Sequence, residues 1–239
     1  MDTNKDNENL ISHLEALRET ILRCLICLGV VLPFTFFAAP RALNYLIKIL
    51  AGSNNITFNY FSPAEIFILQ IKIAVVIDLI VCFPYIAKKI WDFIVPALYD
   101  NERKFIKSII FISSGLFICG VLFCLFFILP LIINFGISFA TSNIQAVFGI
   151  SNVITLSLWL AVVFGLMFQT PLFVHSLIKF GILDYDTIAD KRPYVVVGLL
   201  IIAAILTPPD IVSQIMLFIP TYLLFELGLL FSKGKNDGK

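Results

Sequence analysis

Charge is scarce in this chain: Lys, Arg, Asp and Glu make up 14% of its 239 residues, where a soluble domain carries about 25%. The charges cluster, and the apolar stretches between clusters are long enough for membrane helices, which need about 20 residues each. Hydrophobic residues account for 59% of the sequence. The net charge is only +1, so no global field attracts nucleic acid. Catalytic signatures are missing as well. There is no phosphate-cradling P-loop, no H-E-x-x-H, no G-x-S-x-G and no dinucleotide-binding glycine fingerprint. The two histidines, His13 and His175, have no metal-ligand spacing. No cofactor is implied, and an enzyme is not expected.

Cysteine and glycine are equally uninformative about special chemistry. Cys24, Cys27, Cys82, Cys119 and Cys124 all lie in apolar runs, where they read as small buried hydrophobes rather than a disulfide framework. Cys24-x-x-Cys27 as a redox pair is the lesser reading. The only glycines four apart are Gly234 and Gly238, in the polar tail, so there is no GxxxG helix-pairing motif in the membrane. The opening residues, MDTNKDNENL, lack the basic start of a cleavable signal peptide, and the apolar segment after them is expected to be retained.

The apolar runs predict an all-α integral membrane protein with six transmembrane helices in a single polytopic domain over 1–239. The spans fall at about 24–39, 66–87, 108–135, 153–178, 194–207 and 211–231. The first is expected to stop at Pro40-Arg41, and Pro208-Pro209-Asp210 to turn between the last two. Continuous apolar character points to helices, since barrel strands alternate. The fifth run is short for a span and needs thinned bilayer or snorkelling flanks.

Orientation follows from basic residues. Lys5, Arg18, Arg23, Lys88, Lys89, Arg103, Lys104, Lys107, Lys179, Lys191, Arg192, Lys233, Lys235 and Lys239 fall on one side. Arg41 and Lys48 fall on the other, with Lys72 near the outer end of the second span. The first side is expected to be cytoplasmic, with both termini on it.

Polar groups inside the membrane are the default functional candidates. They are Lys72, Asp78, Gln169, Gln214 and Glu226, with Glu65 and Asp210 at the outer edge. Lys72 is expected to snorkel outward. Asp78 needs a partner, a wet cavity or a proton. Gln169-Thr170-Pro171 predicts a kink with a freed carbonyl, serving either structure or a substrate contact. Glu226 reads as an interfacial residue.

Several segments, taken in order, carry a family resemblance. They are Ser12-His13-Leu14-Glu15-Ala16-Leu17-Arg18, Ser62-Pro63-Ala64-Glu65-Ile66-Phe67, and Trp91-Asp92-Phe93-Ile94-Val95-Pro96-Ala97-Leu98-Tyr99 with Glu102-Arg103. Further on come Phe168-Gln169-Thr170-Pro171, Lys191-Arg192-Pro193-Tyr194, Leu206-Thr207-Pro208-Pro209-Asp210, Ser213-Gln214 and Phe225-Glu226. Over nearly its whole length the chain resembles the TatC family, the core subunits of the twin-arginine protein translocase. The resemblance implies a concave, glove-like six-helix bundle with short fifth and sixth helices; the bacterial inner membrane is the expected location, with an organellar membrane as the lesser alternative. It implies recognition of twin-arginine signal peptides of folded cargo at the cytoplasmic face. It also implies TatA- and TatB-type single-span partners, a homo-oligomeric receptor complex, and the proton-motive force in place of nucleotide.

The same resemblance suggests the sites. Glu102 takes one arginine of the signal peptide. The family's other glutamate falls at Ala16, so a substitute is needed. On a helix, Glu19 lies about 60° from Ala16 and Glu15 about 100°, which makes Glu19 the first candidate and Glu15 the second. His13, Leu17 and Arg18 belong to the same motif, and Leu17 and Phe93 are expected to dock the apolar part of the peptide. Gln169, Pro171, Asp210 and Gln214 are expected to line the intramembrane groove or touch a partner. The family often has a glutamate at Gln169, so this groove keeps polarity without that titratable group. The alternative is a small secondary transporter of a solute or ion using Asp78, Lys72 and Gln169, although no inverted repeats support it. A purely structural subunit is a third possibility.

Overall fold

The computed structural model describes residues 3–51, 58–94, 103–138, 147–179, 181, 184–206 and 211–233. Five helical stretches are long and apolar enough to cross a membrane, and a sixth, shorter one lies between the last two. In chain order, α1 is Thr3–Ala51, β1 is Phe58–Asn59 and α2 is Pro63–Ile94. Next come α3 (Arg103–Phe123), one π-helical turn (Cys124–Ile128), α4 (Leu129–Ser138) and β2 (Phe148–Gly149). The remainder is α5 (Ile150–Met167), α6 (Thr170–Lys179), α7 (Tyr185–Asp190), α8 (Arg192–Leu206) and α9 (Ile211–Lys233).

The first helix does not stop at Pro40-Arg41, as the sequence suggests. It runs straight through Pro33 and Pro40 to Ala51. A proline removes one backbone bond from a helix, but in hydrocarbon no water is available to satisfy a broken chain end, so helix remains the better state. The buried residues Thr35, Ala39, Leu43, Leu46 and Leu50 recur every three or four positions and form the stripe that packs on α2. Pro130 is handled differently. Its ring would crowd the carbonyl of Phe126, and the preceding turn widens, with Leu129 N–H donating to the Cys124 carbonyl.

The core sits where α2, α3 and α5 meet. Phe83 and Phe117 stack at 3.7 Å between ring centroids. Phe117 lies against Gly165, where a Cβ would come within 2.7 Å of the ring. One turn along, Gly120 meets the Phe164 carbonyl, 2.6 Å from where its own Cβ would be. Single glycines on facing helices thus achieve the close approach that no GxxxG motif announces.

Two short strands tie the bundle together at one end. β1 and β2 pair in parallel, Phe58 with Phe148 and Asn59 with Gly149. The loop regions after α1 and after α4 are therefore on the same side, and α2 and α5 start from one level. That agrees with an even number of spans between them. The last hairpin joins the bundle through α6, which packs along α9. Gly228 permits this, because a Cβ there would stand 2.8 Å from Pro171 Cα. Of the two hairpin helices, α8 has 15 residues and α9 has 23.

Candidate functional site

Toward the β-free end of the bundle, α1 and α2 touch at a cysteine pair. The Cys27 thiol donates to Cys82 Sγ across the two helices at 3.6 Å. From that contact, α2 runs on to Phe93 while the antiparallel α1 runs back, by the same number of residues, to Ala16. At about 1.5 Å per residue both lie roughly 16 Å along their helices from the cysteines, which sets Leu17 and Phe93 at about the same level. Leu14, Glu15, Ala16, Leu17, Arg18 and Glu19 are all exposed, on helix throughout.

The helix sorts the carboxylates further. Glu15, Glu19 and Arg23 are spaced by four residues and so fall on one stripe. Glu19 is ion-paired with Arg23, both being exposed. Glu15 has no ion pair among the described residues. The two acidic candidates are therefore neighbours, about 6 Å apart along the axis, and one of them is already occupied by an internal cation. Glu102 lies outside the described residues, and His13 outside those whose side chains are described.

The second group of candidates lies in the membrane. The break between α5 and α6 falls at Phe168 and Gln169, as the proline predicts. Pro171 has no N–H for the Met167 carbonyl, and the Thr170 hydroxyl donates to that carbonyl instead, at 2.6 Å. Gln169 is held reciprocally by Ser113 on α3. Its amide donates to the Ser113 carbonyl at 3.0 Å, and its oxygen accepts from the Ser113 hydroxyl at 2.7 Å. Gln214 donates to the Leu200 carbonyl at 3.1 Å and so joins α9 to α8. Pro171 is buried against α9, and Asp210 lies outside the described residues. Gln169, Pro171 and Gln214 are brought near helix junctions, each in contact with another helix of the chain, rather than gathered into one cavity.

Leucine at Gln169 would remove both bonds and leave the buried Ser113 hydroxyl without that acceptor. Interhelical hydrogen bonds in membranes contribute about 0.6–2 kcal/mol. Gln169→Leu is expected to insert normally and to lower both thermal stability in detergent and export rate. Ser113→Ala in the same chain should recover part of the stability. A normal export rate in Gln169→Leu would confine the residue to holding the kink.

The remaining polar groups are also placed. Asp78, 1% exposed, accepts the Cys82 thiol at 3.5 Å, so Asp78, Cys82 and Cys27 form a chain from α2 to α1. Glu226 is clasped by Arg192 at 3.0 Å and by the Tyr222 hydroxyl at 2.8 Å, which closes the base of the last hairpin. Trp159 on α5 donates its indole N–H to the Leu206 carbonyl at 2.8 Å. Sequence reasoning passed over Trp159 and Ser113, because neither is charged and neither stands in a motif. The only hint was a polar group amid an apolar run. Among the described residues no cluster of His, Cys, Asp and Glu is arranged to hold a metal, and the five cysteines are free.

Comparison with known proteins places this geometry. A family model described as Sec-independent protein translocase protein (TatC) matches residues 12–220. A Haemophilus influenzae protein named Sec-independent protein translocase protein TatC is 34% identical, over 97% of this chain and 93% of its own length. The Escherichia coli K12 protein of the same name is 36% identical, with the same coverage of both. A crystal structure of the twin-arginine translocase receptor TatC in DDM superposes with a TM-score of 0.84 at 28% identity, covering 92% of this chain and 99% of that one. The glove-like six-helix fold is thereby shared, and the secondary-transporter alternative finds no support.

Proposed function

Because the chain belongs to the TatC family of Sec-independent protein translocase proteins, and is a multi-pass core subunit of the twin-arginine translocase, we propose that it binds twin-arginine signal peptides at the inner ends of α1 and α2. What supports this is the common level of Leu17 and Phe93, estimated from helical rise, together with the exposed Glu15–Glu19 stripe on the same stretch of α1. The family is a translocase component and not an enzyme family. The chain's own residues have four tasks. Glu102 neutralises one arginine. Glu19, released from Arg23, or Glu15 neutralises the other. Leu17 and Phe93 receive the apolar segment that follows. His13 and Arg18 flank the carboxylates on the same approach.

Charge alone does not suffice. Exposed ion pairs contribute about 0–1 kcal/mol each, whereas micromolar binding corresponds to about −8 kcal/mol. Bidentate arginine contacts are stronger and more selective, and apolar burial supplies the rest. Gln169, Pro171, Asp210 and Gln214 belong to the groove where TatA- or TatB-type single-span helices dock. Transport then draws on the proton-motive force, in a homo-oligomeric receptor complex of the bacterial inner membrane, with the whole of 1–239 acting as one membrane domain. The excess of Lys and Arg at the α1–α2 binding end supports a cytoplasmic location for it and for both termini.

Crosslinking tests site and orientation together. A photoreactive residue at Leu17 or Phe93 should capture a twin-arginine peptide added to inverted membrane vesicles. The same peptide added to right-side-out vesicles should give no product, and a twin-lysine peptide a much weaker one. Capture only from the opposite face would reverse the orientation, and equal capture of both peptides would remove the assigned specificity.

A further inference from the structure

The hydrogen bond from Trp159 to Leu206 fixes where α8 ends. Trp159 is nine residues into α5, and α5 starts beside the β1–β2 pair. The end of α8 therefore lies about 13 Å below that level. The length of α8 says the same. Its 15 residues span about 22 Å, short of the roughly 30 Å hydrocarbon thickness. A shortfall of this kind is met by thinning the bilayer locally. The tryptophan contact assigns the shortfall to the β1–β2 end, so the headgroups over this hairpin must be drawn down by about 8 Å.

Lys72 waits at that depth. Its Cα is nine residues into α2, at the level of the α8 end. Its stem runs outward, and its ammonium donates to the Thr155 hydroxyl on α5 at 3.0 Å. Thr155 is one turn above Trp159, which puts the ammonium about 6 Å above the hairpin end. Among the described residues Lys72 has no carboxylate partner, and the Thr155 proton has no acceptor. Lys72 and Thr155, both half-buried, thus meet in the membrane where no carboxylate among the described residues joins them. An unpaired charge there is costly unless something polar reaches it.

We propose that Lys72 and Thr155 hold the phosphate of a phospholipid drawn down over the recessed end of the α8–α9 hairpin. The ammonium and the hydroxyl are both donors, which matches an oxyanion, and the thinned leaflet brings such a group to the site without a protein partner. The lipid covers the end of α8 and stabilises the thinning that the short helix requires. The assignment stands apart from signal-peptide binding, which is at the other end of the bundle.

The test is solid-state phosphorus–nitrogen recoupling on lysine-labelled protein in phosphatidylethanolamine–phosphatidylglycerol vesicles in phosphate-free buffer. The Lys72 signal is assigned by its disappearance in Lys72→Gln, or in Lys72→Arg if the glutamine variant does not fold. The expected result is dephasing of that signal by lipid phosphorus, weakened in Thr155→Val while twin-arginine peptide binding is unchanged. Absence of dephasing overturns the proposal. So does dephasing that requires added inorganic phosphate. Replacement of the phosphorus contact by a carboxylate contact, when a single-span partner is co-reconstituted, would give the site to protein instead.

Discussion

Gly120→Val should lower the thermal midpoint in detergent by roughly 6–12 °C, taking overpacking at about 3 kcal/mol and a response of about 2–4 °C per kcal/mol for a chain of this size. Gly115→Val, on the same helix, should leave the midpoint where it is. The contrast rests on what each new Cβ would meet. At Gly120 it would stand 2.6 Å from the Phe164 carbonyl oxygen and 3.0 Å from Gly165 Cα. Those are backbone atoms, which cannot rotate away, so α3 and α5 must separate. At Gly115 nothing lies within 4 Å, and valine is no worse than glycine in a helix interior. Separating α3 from α5 also disturbs the Ser113–Gln169 bonds and the stacking of Phe117 on Phe83. An unchanged midpoint in Gly120→Val would mean that the two helices do not meet at this glycine.

Removing both acidic residues of the α1 stripe should cost more than the sum of the single changes. A hydrogen bond to a charged group contributes about 1.5–3 kcal/mol, so Glu15→Gln/Glu19→Gln is expected to weaken twin-arginine peptide binding by roughly 10-fold or more. Each single change should do much less, because the two carboxylates are one helical turn apart and either can reach the same guanidinium. Glu19→Gln should be the more harmful of the two, with partial rescue by Ala16→Glu. Glu102→Gln should impair export on its own, since it serves the other arginine. Arg23→Gln is the opposite experiment. It frees Glu19 from an exposed pair worth about 0.3–0.5 kcal/mol, so peptide affinity should rise about twofold. Peptide titration into the purified protein reads the binding changes, and a cargo-export assay reads the Glu102→Gln defect. Full binding in the double variant would leave Glu102 as the sole acidic contact.

Much of the fold was legible in the sequence because membrane helices announce themselves by continuous apolar runs, and the break at Gln169 because Pro171 cannot donate. Pro40 misled for the same local reason. A proline's cost was weighed as it would be in water, whereas the lipid gives an interrupted helix nowhere to place its free carbonyls. The carboxylates of α1 were legible as candidates. The pairing of Glu19 with Arg23 follows from their spacing, but it becomes visible only once the helix is known to extend past both. Other features depend on which helices are neighbours, and no local pattern encodes that. The reciprocal bonds of Ser113 with Gln169, the Trp159 contact and the glycine approaches at Gly120 and Gly228 are all of this kind. Snorkelling of Lys72 could be foreseen from its depth, whereas its resting place on Thr155 could not.

The parallel pairing of Phe58–Asn59 with Phe148–Gly149 has a consequence for biogenesis. With both termini cytoplasmic, as proposed above, the first strand is delivered across the bilayer with the opening helical hairpin, early in synthesis. Its partner arrives only after the chain has turned back into the membrane and emerged again. Until then the first strand's backbone groups on that far side are paired with water alone. Closure of this small clasp is therefore a late step that reports successful threading of everything before it. A chain stalled after the second helix would lack the clasp while having both of its helices in place.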